Sequence, residues 1–266
     1  MLAENITSKE IVRLLVYAPT FFTMKERSPA TVLAVSDDGW LVASEREDGA
    51  VNVQKSKFNE TLFLELTSIL LFGRFKIYFG AAGTPCSAIV RFDTVGEEFY
   101  REAIDLILDG IDQTPTPAPE DDRDSALIPA SWPVHFRNEA QSYRPRGQLL
   151  LAATQWPAVI DGFDRELSPA GALLVTKREL VLISEEKAFP RQHAGDLHKF
   201  GGIITYFPLA RLENFELSQH ERFDVLALQV QAMHGGEELE IIFPADHEKA
   251  ISEAMEQVLA HAGGVL

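Results

Sequence analysis

The chain has one cysteine, Cys86, so it can form neither an internal disulfide nor a cysteine-ligated metal cluster. Long apolar runs are missing too. The longest, such as Ile69 to Phe72 and Leu149 to Ala153, fall far short of a bilayer span. The first ten residues are polar and include Glu4 and Glu10, where a secretory signal would have a basic start and an apolar stretch. Positive charge is scarce: 24 Lys and Arg against 40 Asp and Glu give a formal charge of -16, and each half of the chain is net acidic. Such a surface repels nucleic acid and anionic membranes at long range unless a local cationic patch intervenes. No Gly-x-Ser-x-Gly elbow, phosphate-binding loop or strand-linked Gly-x-Gly-x-x-Gly is present, which removes the usual signatures of hydrolases and nucleotide enzymes. These absences predict a cytoplasmic protein without a nucleic-acid partner, cofactor or metal, and not an enzyme.

What is present is an internal repeat. The length, 266 residues with 46% hydrophobic content, suits two ordinary domains. Val32 to Glu45 (VLAVSDDGWLVASE) aligns without a gap with Ala172 to Glu185 (ALLVTKRELVLISE). Both read as a hairpin: an apolar run, a hydroxyl residue (Ser36, Thr176), a short polar turn and a second apolar run. Gly39 suits a turn with positive φ and Glu179 does not, so different turns are expected. A second pairing matches Leu62 to Ile69 with Thr205 to Leu212, each followed by a further strand, Phe75 to Phe79 and Val225 to Val230. A third matches Arg91 to Leu108 with Ile242 to Leu259, a strand end leading into a helix. Thr94 and Glu97 have capping-box spacing, and Asp246 is placed to cap the second helix. Tyr100, Ala103, Ile104, Ile107 and Leu108 form one apolar stripe, and Ile251, Ala254, Met255, Val258 and Leu259 form its match. Ile11 to Phe22 and Gln148 to Ile160 look like opening strands, each interrupted by a proline, Pro19 or Pro157.

The expected division is residues 1–112, a Pro-rich acidic linker over 113–146, and residues 147–266. Thr114 to Pro119 should be extended, while Trp132, Val134 and Phe136 are apolar enough to dock on a domain. Each copy should curl its own antiparallel sheet and seal one end with its last helix. A single sheet running through both halves would contradict that picture.

The order of hairpin, further strands and final amphipathic helix resembles the pleckstrin-homology (PH) superfold, especially bacterial PH-like domains. Val175 to Ile183 (VTKRELVLI) and Tyr206 to Leu212 (YFPLARL) carry the likeness, over about 110 residues of the second half. The first half enters through the repeat, and its turn Ser36-Asp37-Asp38-Gly39 departs from the family pattern. The resemblance implies an α+β, mainly β class: two tandem PH-like domains, each a partly open barrel capped by a C-terminal helix. It also implies lipid-headgroup binding, peptide binding or assembly, since fold alone does not choose among them.

Among candidate sites, Lys177 and Arg178 in the second hairpin turn, with Lys187, Arg191 and Lys199 in the loop beyond, are the basic loop residues that the PH-like resemblance implies for anion binding at an open barrel end, diluted by Glu179, Glu185, Glu186 and Asp196. Lys25, Arg27, Lys55 and Lys57 flank the first hairpin. Trp156, Phe163 and Phe200 fall in or near expected loops, where joint exposure would mark a partner surface. His193, Asp196 and His198 lie close enough to ligate a metal only if their loop folds back, and a solvated loop is the simpler reading. Cys86 has no histidine nearby in sequence. The reading favoured is a non-catalytic interaction or assembly module with a protein partner or self-association. The alternatives are peripheral binding of anionic lipid, and an enzyme site between the halves.

Overall fold

The computed structural model describes residues 10–22, 27–80, 86–113, 127–186, 201–219, 225–233 and 238–261. The first half runs through β1 (Val12–Ala18), a short pair β2 (Phe21–Phe22) and β3 (Arg27–Ser28), β4 (Thr31–Ser36), β5 (Gly39–Glu45) and β6 (Val51–Lys57). A 3-10 turn (Phe58–Glu60) leads to β7 (Thr61–Ile69), β8 (Phe72–Phe79), β9 (Cys86–Asp93) and helix α1 (Glu97–Asp112). Helix α2 (Val134–Ser142) follows. The second half then repeats the order with β10 (Leu150–Trp156), the pair β11 (Val159–Ile160) and β12 (Glu166–Ser168), β13 (Gly171–Thr176), β14 (Glu179–Glu186) and β15 (Gly201–Pro208). Another 3-10 turn (Leu209–Arg211) leads to β16 (Leu212–Gln219), β17 (Val225–Ala232), β18 (Glu238–Pro244) and helix α3 (Glu248–His261). The protein is mainly β, with antiparallel sheets.

The duplication extends to pairing detail. Strands β1-β4-β5-β6 and β10-β13-β14-β15 are neighbours in the same order, as are β7-β8-β9 and β16-β17-β18. The β1–β4 ladder is interrupted by a bulge between Val12 and Leu14, and β10–β13 carries one at the matching place, between Leu150 and Ala152. Pro19 and Pro157 each end the opening strand, as a residue without an N–H donor must.

Three local expectations are corrected. Leu62–Ile69 is not the counterpart of Thr205–Leu212. Leu62 to Ile69 lie in β7, whereas Thr205 to Leu212 run from β15 through the 3-10 turn to the start of β16. The turns beginning at Phe58 and Leu209 are the true match, so the extra length of the second copy between hairpin and turn lies between β14 and β15. The two hairpin turns are alike rather than different. The Ser36 hydroxyl accepts from Asp38 N and Gly39 N, and the Thr176 hydroxyl accepts from Arg178 N and Glu179 N. Gly39 is needed for closeness, not for positive φ: a Cβ there would stand 2.2 Å from Ser56 O on β6. Finally, Thr94 and Glu97 form no capping box. Thr94 donates to Leu70 O at 2.8 Å, while Glu97 accepts from Ser68 and Tyr143.

The larger correction concerns the sheets. β15 pairs antiparallel with β7, from Gly201 opposite Ile69 to Tyr206 opposite Leu64. The halves therefore share one seven-stranded sheet, β10-β13-β14-β15-β7-β8-β9. Its two faces serve two cores. One core lies against the four-stranded sheet and takes Leu33, Val35, Trp40 and Val42 with the α1 stripe, Phe136 of α2, and Leu174, Val181, Ile204 and Tyr206. The other takes Leu173, Val175, Leu182 and Phe207 with β17, β18 and α3. Strand β13 is buried at every residue because it feeds both. The expectation that each copy closes its own sheet thus fails, although each helix still packs on strands of its own half.

Candidate interaction surface

In an antiparallel sheet, residues directly opposite one another share a face. The register of the four-stranded sheet therefore assembles two rows on its outer face: Leu15, Ala34, Leu41 and Lys55, and beside it Tyr17, Val32, Ala43 and Val53. None of these residues belongs to either core. Leu15 is 56% exposed and Tyr17 64%. A pocket of about 240 Å³ opens on the same face, lined by Val12, Ala34, Leu41, Lys55 and Lys57 among others. Ala34 and Leu41 are buried, but Leu15 and Tyr17 stand exposed side by side on β1, and two large apolar side chains so placed favour a contact partner over water.

The equivalent face of the second half shows what such rows look like when covered. Its rows are Ala153, Leu174, Val181 and Tyr206, and Gln155, Ala172, Ile183 and Ile204. Helices α1 and α2 lie over them: Leu174, Val181, Ile204 and Tyr206 share a core with Leu108 and Phe136. Trp132 and Phe136 are buried as expected, whereas Val134 is 61% exposed. Arg178 fastens the helix end to the sheet. Its Nη1 donates to Asp109 Oδ1 at 3.1 Å, its Nη2 donates to Leu108 O at 3.0 Å, and it is ion-paired with Asp112. On the other side, Arg211 donates to Thr61 O and Phe58 O.

The seam between the halves also holds an open cleft of about 600 Å³ with Arg101, Asp105, Asp109, Arg146, Arg178 and Glu179 in its lining. These charges serve one another. Arg146 pairs with Asp105 at 3.2 Å, and Arg178 is held as described. Glu179 is 2% exposed, and burial pushes its carboxyl up to about 7, partly offset by the hydroxyl of Thr176 and the charge of Arg178. Thr176 donates to Glu179 Oε2 at 2.7 Å, a hydroxyl–carboxylate pair in form, but Thr176 is fully buried and its oxygen is committed to the turn. A nucleophile must reach its substrate, and this one reaches none. A second titrating group lies under α2: Glu139 is pushed up to about 7 by burial and by the neighbouring Glu185, which itself lies 2.8 Å from His135 Nε2.

Of the six anticipated site residues, Lys177, Arg178 and Trp156 are among the described ones. Lys177 is exposed in its turn, but Arg178 is 12% exposed and engaged by α1. Lys187, Arg191 and Lys199 lie outside the described residues, as do Lys25, Phe200, His193, Asp196, His198 and His234. Trp156 is a correction: at 2% exposure it packs against Phe243 in the second core rather than facing a partner. Phe163 is exposed, in a turn closed by Asp161 and Arg165. Among the described residues no group of three His, Cys, Asp or Glu is placed to hold a metal ion, and no helix is long and apolar enough to cross a membrane. The outer-face residues escaped notice in the sequence. Their one signal was that Leu14 to Ala18 are apolar on both alternations, with Val16 and Ala18 facing in and Leu15 and Tyr17 facing out. A second exposed apolar group, Leu70, Leu71, Val95 and Phe99, gathers where Thr94 ties the β7–β8 turn to the start of α1. No protein-family model matches the chain, and no curated protein resembles it closely enough in sequence to mark a relative.

Proposed function

We propose that the chain is a non-catalytic protein-interaction module made of two PH-like units, and that the outer face of its first sheet is the contact surface. The observation that carries this is the contrast between equivalent faces: one buried under helices, the other presenting Leu15 and Tyr17 to solvent. Each half runs in the same order through a set of four strands, a set of three and a closing helix, which is the order the PH-like resemblance implies; the joining of the second half's four strands to the first half's three in one sheet departs from two separately closed domains. Sheet edges and faces of this kind bind extended or helical partner segments. The lipid reading has less support, because Arg178 is taken up by Asp109 and Asp112.

The test is selection of binding peptides from a displayed library on the full chain, followed by measurement against Leu15→Asp and Tyr17→Asp. The expected result is affinity lost by tenfold or more ("~1.4 kcal/mol" or greater) with unchanged melting temperature. Binding that ignores both substitutions, or salt-sensitive sedimentation with phosphatidylserine vesicles, overturns the reading.

A further inference from the structure

We propose that α2 is a pH-sensitive strap: Glu139, held against Glu185 on the outer face of the second half, loosens the helix when it loses its proton. The face so uncovered is the twin of the contact surface, and only the use made of it rests on the functional reading above. The opening itself does not.

Helix α2 has nine residues, too few for a helix to persist without its contacts. Phe136 and Ala140 are buried, whereas His135, Asn138 and Gln141 face solvent. The two buried side chains share a core with Ala172, Ile183 and Ile204, the row whose twin in the first half carries Tyr17. A polar contact lies beside them. Gly202 leaves room for the Glu139 carboxyl: a Cβ there would stand 3.4 Å from Glu139 Oε1. Gly202 is directly opposite Glu185, so both carboxyls meet on one face. Glu185 is 11% exposed and lies 2.8 Å from His135 Nε2. On the α1 side, Glu97 accepts from Tyr143 at 2.6 Å and from Ser68 of β7, while Arg101 donates to Ser142 O and lies over the Tyr143 ring. Strand β13 offers Ala172 and Leu174, without charge. Arg137 stands two residues before Glu139, a spacing that does not bring side chains together on a helix. Among the described residues no cation pairs with Glu139.

Two carboxyls on one partly buried face cannot both ionise without cost. Glu139 also sits in the last turn of α2, where the helix dipole disfavours negative charge. Burial and the charge of Glu185 push Glu139 from 4.5 up to about 7. The closed strap therefore holds a proton that the open one releases to water. Its hold is complete below about 4.5 and is lost as pH climbs through about 7, so opening becomes about tenfold more frequent between pH 6 and pH 8. What opens is the apolar row under Phe136, which then resembles the exposed face of the first half.

The experiment is hydrogen exchange of the full chain, followed by mass spectrometry at pH 6, 7 and 8, with rates corrected for the intrinsic pH dependence of exchange. Peptides covering 134–142 are expected to lose about tenfold in protection from pH 6 to pH 8, ahead of peptides from β8 and β9. Glu139→Gln fixes the neutral form and should keep at pH 8 the protection seen at pH 6. Glu179→Gln removes the other carboxyl that titrates near neutrality and should leave the loss at α2 unchanged. Protection of 134–142 that ignores pH overturns the proposal. So does a loss that persists in Glu139→Gln, or one that β8 and β9 share in equal measure. The wild-type series is decisive alone if Glu139→Gln fails to fold. Peptide binding through Leu15 and Tyr17 is measured separately, so the strap and the functional reading stand or fall apart from each other.

Discussion

Arg178 Nη1 lies 3.1 Å from the carboxylate of Asp109, a contact between the hairpin turn of the second half and the end of the helix that closes the first. The pair is asymmetric: Arg178 is 12% exposed and Asp109 44%. Arg178 also stands beside Glu179, itself buried. Removing the arginine strands acidic groups that have lost their cation, whereas removing Asp109 leaves Arg178 with Asp112 and Leu108 O. Arg178→Ala should cost about 2–3 kcal/mol and Asp109→Ala less than about 1 kcal/mol, measured by urea unfolding. Equal costs would show that the seam does not depend on the arginine.

Stability should fall as pH rises through neutrality. Glu179 and Glu139 are each raised from 4.5 to about 7, chiefly by burial. The folded state then holds protons that the unfolded chain releases, so the stabilisation is complete below about 4.5 and lost as pH climbs through about 7. The melting temperature is expected to be higher at pH 5 than at pH 8. Glu179→Gln should flatten part of that slope and make the protein more stable than wild type at pH 8. A profile that rises with pH would contradict the burial of these carboxyls.

The segment after α1 should contribute to stability through its buried side chains, Phe136 foremost. Phe136 is fully buried in the core under α2, while Val134, two residues earlier, is exposed. Phe136→Ala should cost about 3–5 kcal/mol through lost burial and the cavity left behind, and Val134→Ala should be within about 0.5 kcal/mol of wild type. Chemical denaturation separates the two.

At Gly201 the pairing of β15 with β7 leaves no room for a side chain. A Cβ there would stand 2.1 Å from Ser68 O on β7. Gly201→Ala should push β15 from β7 and cost about 1–3 kcal/mol, with faster hydrogen exchange at amides near Ser68 and Ile69. Unchanged exchange there would mean that the strands adjust without parting.

Much of the fold was legible locally. The hairpins at Val32 and Ala172, the helices after Phe92 and Phe243, and the breaks at Pro19 and Pro157 follow from alternation, helical spacing and missing donors, which act within a few residues. The pairing of Leu62 with Thr205 failed because short strands of similar composition resemble one another. Only the ladder distinguishes β7 from β15. Gly39 misled for a related reason: its role is set by Ser56 on another strand, and sequence neighbours do not reveal that approach. The interaction surface was hidden more deeply. Leu15 and Tyr17 read like any strand residues, and Trp156 read like a loop residue, because exposure depends on what lies across the sheet.

By itself the sequence determined a duplicated, acidic, mainly β chain with two amphipathic helices, since periodicity and composition are properties of neighbouring residues. Only the tertiary structure decided that the copies share one sheet through β15 and β7, and that one outer face is covered by helices while its twin leaves Leu15 and Tyr17 exposed. Strand edges and faces are matched over distances of more than a hundred residues, and the backbone groups that make the match are the same at every position.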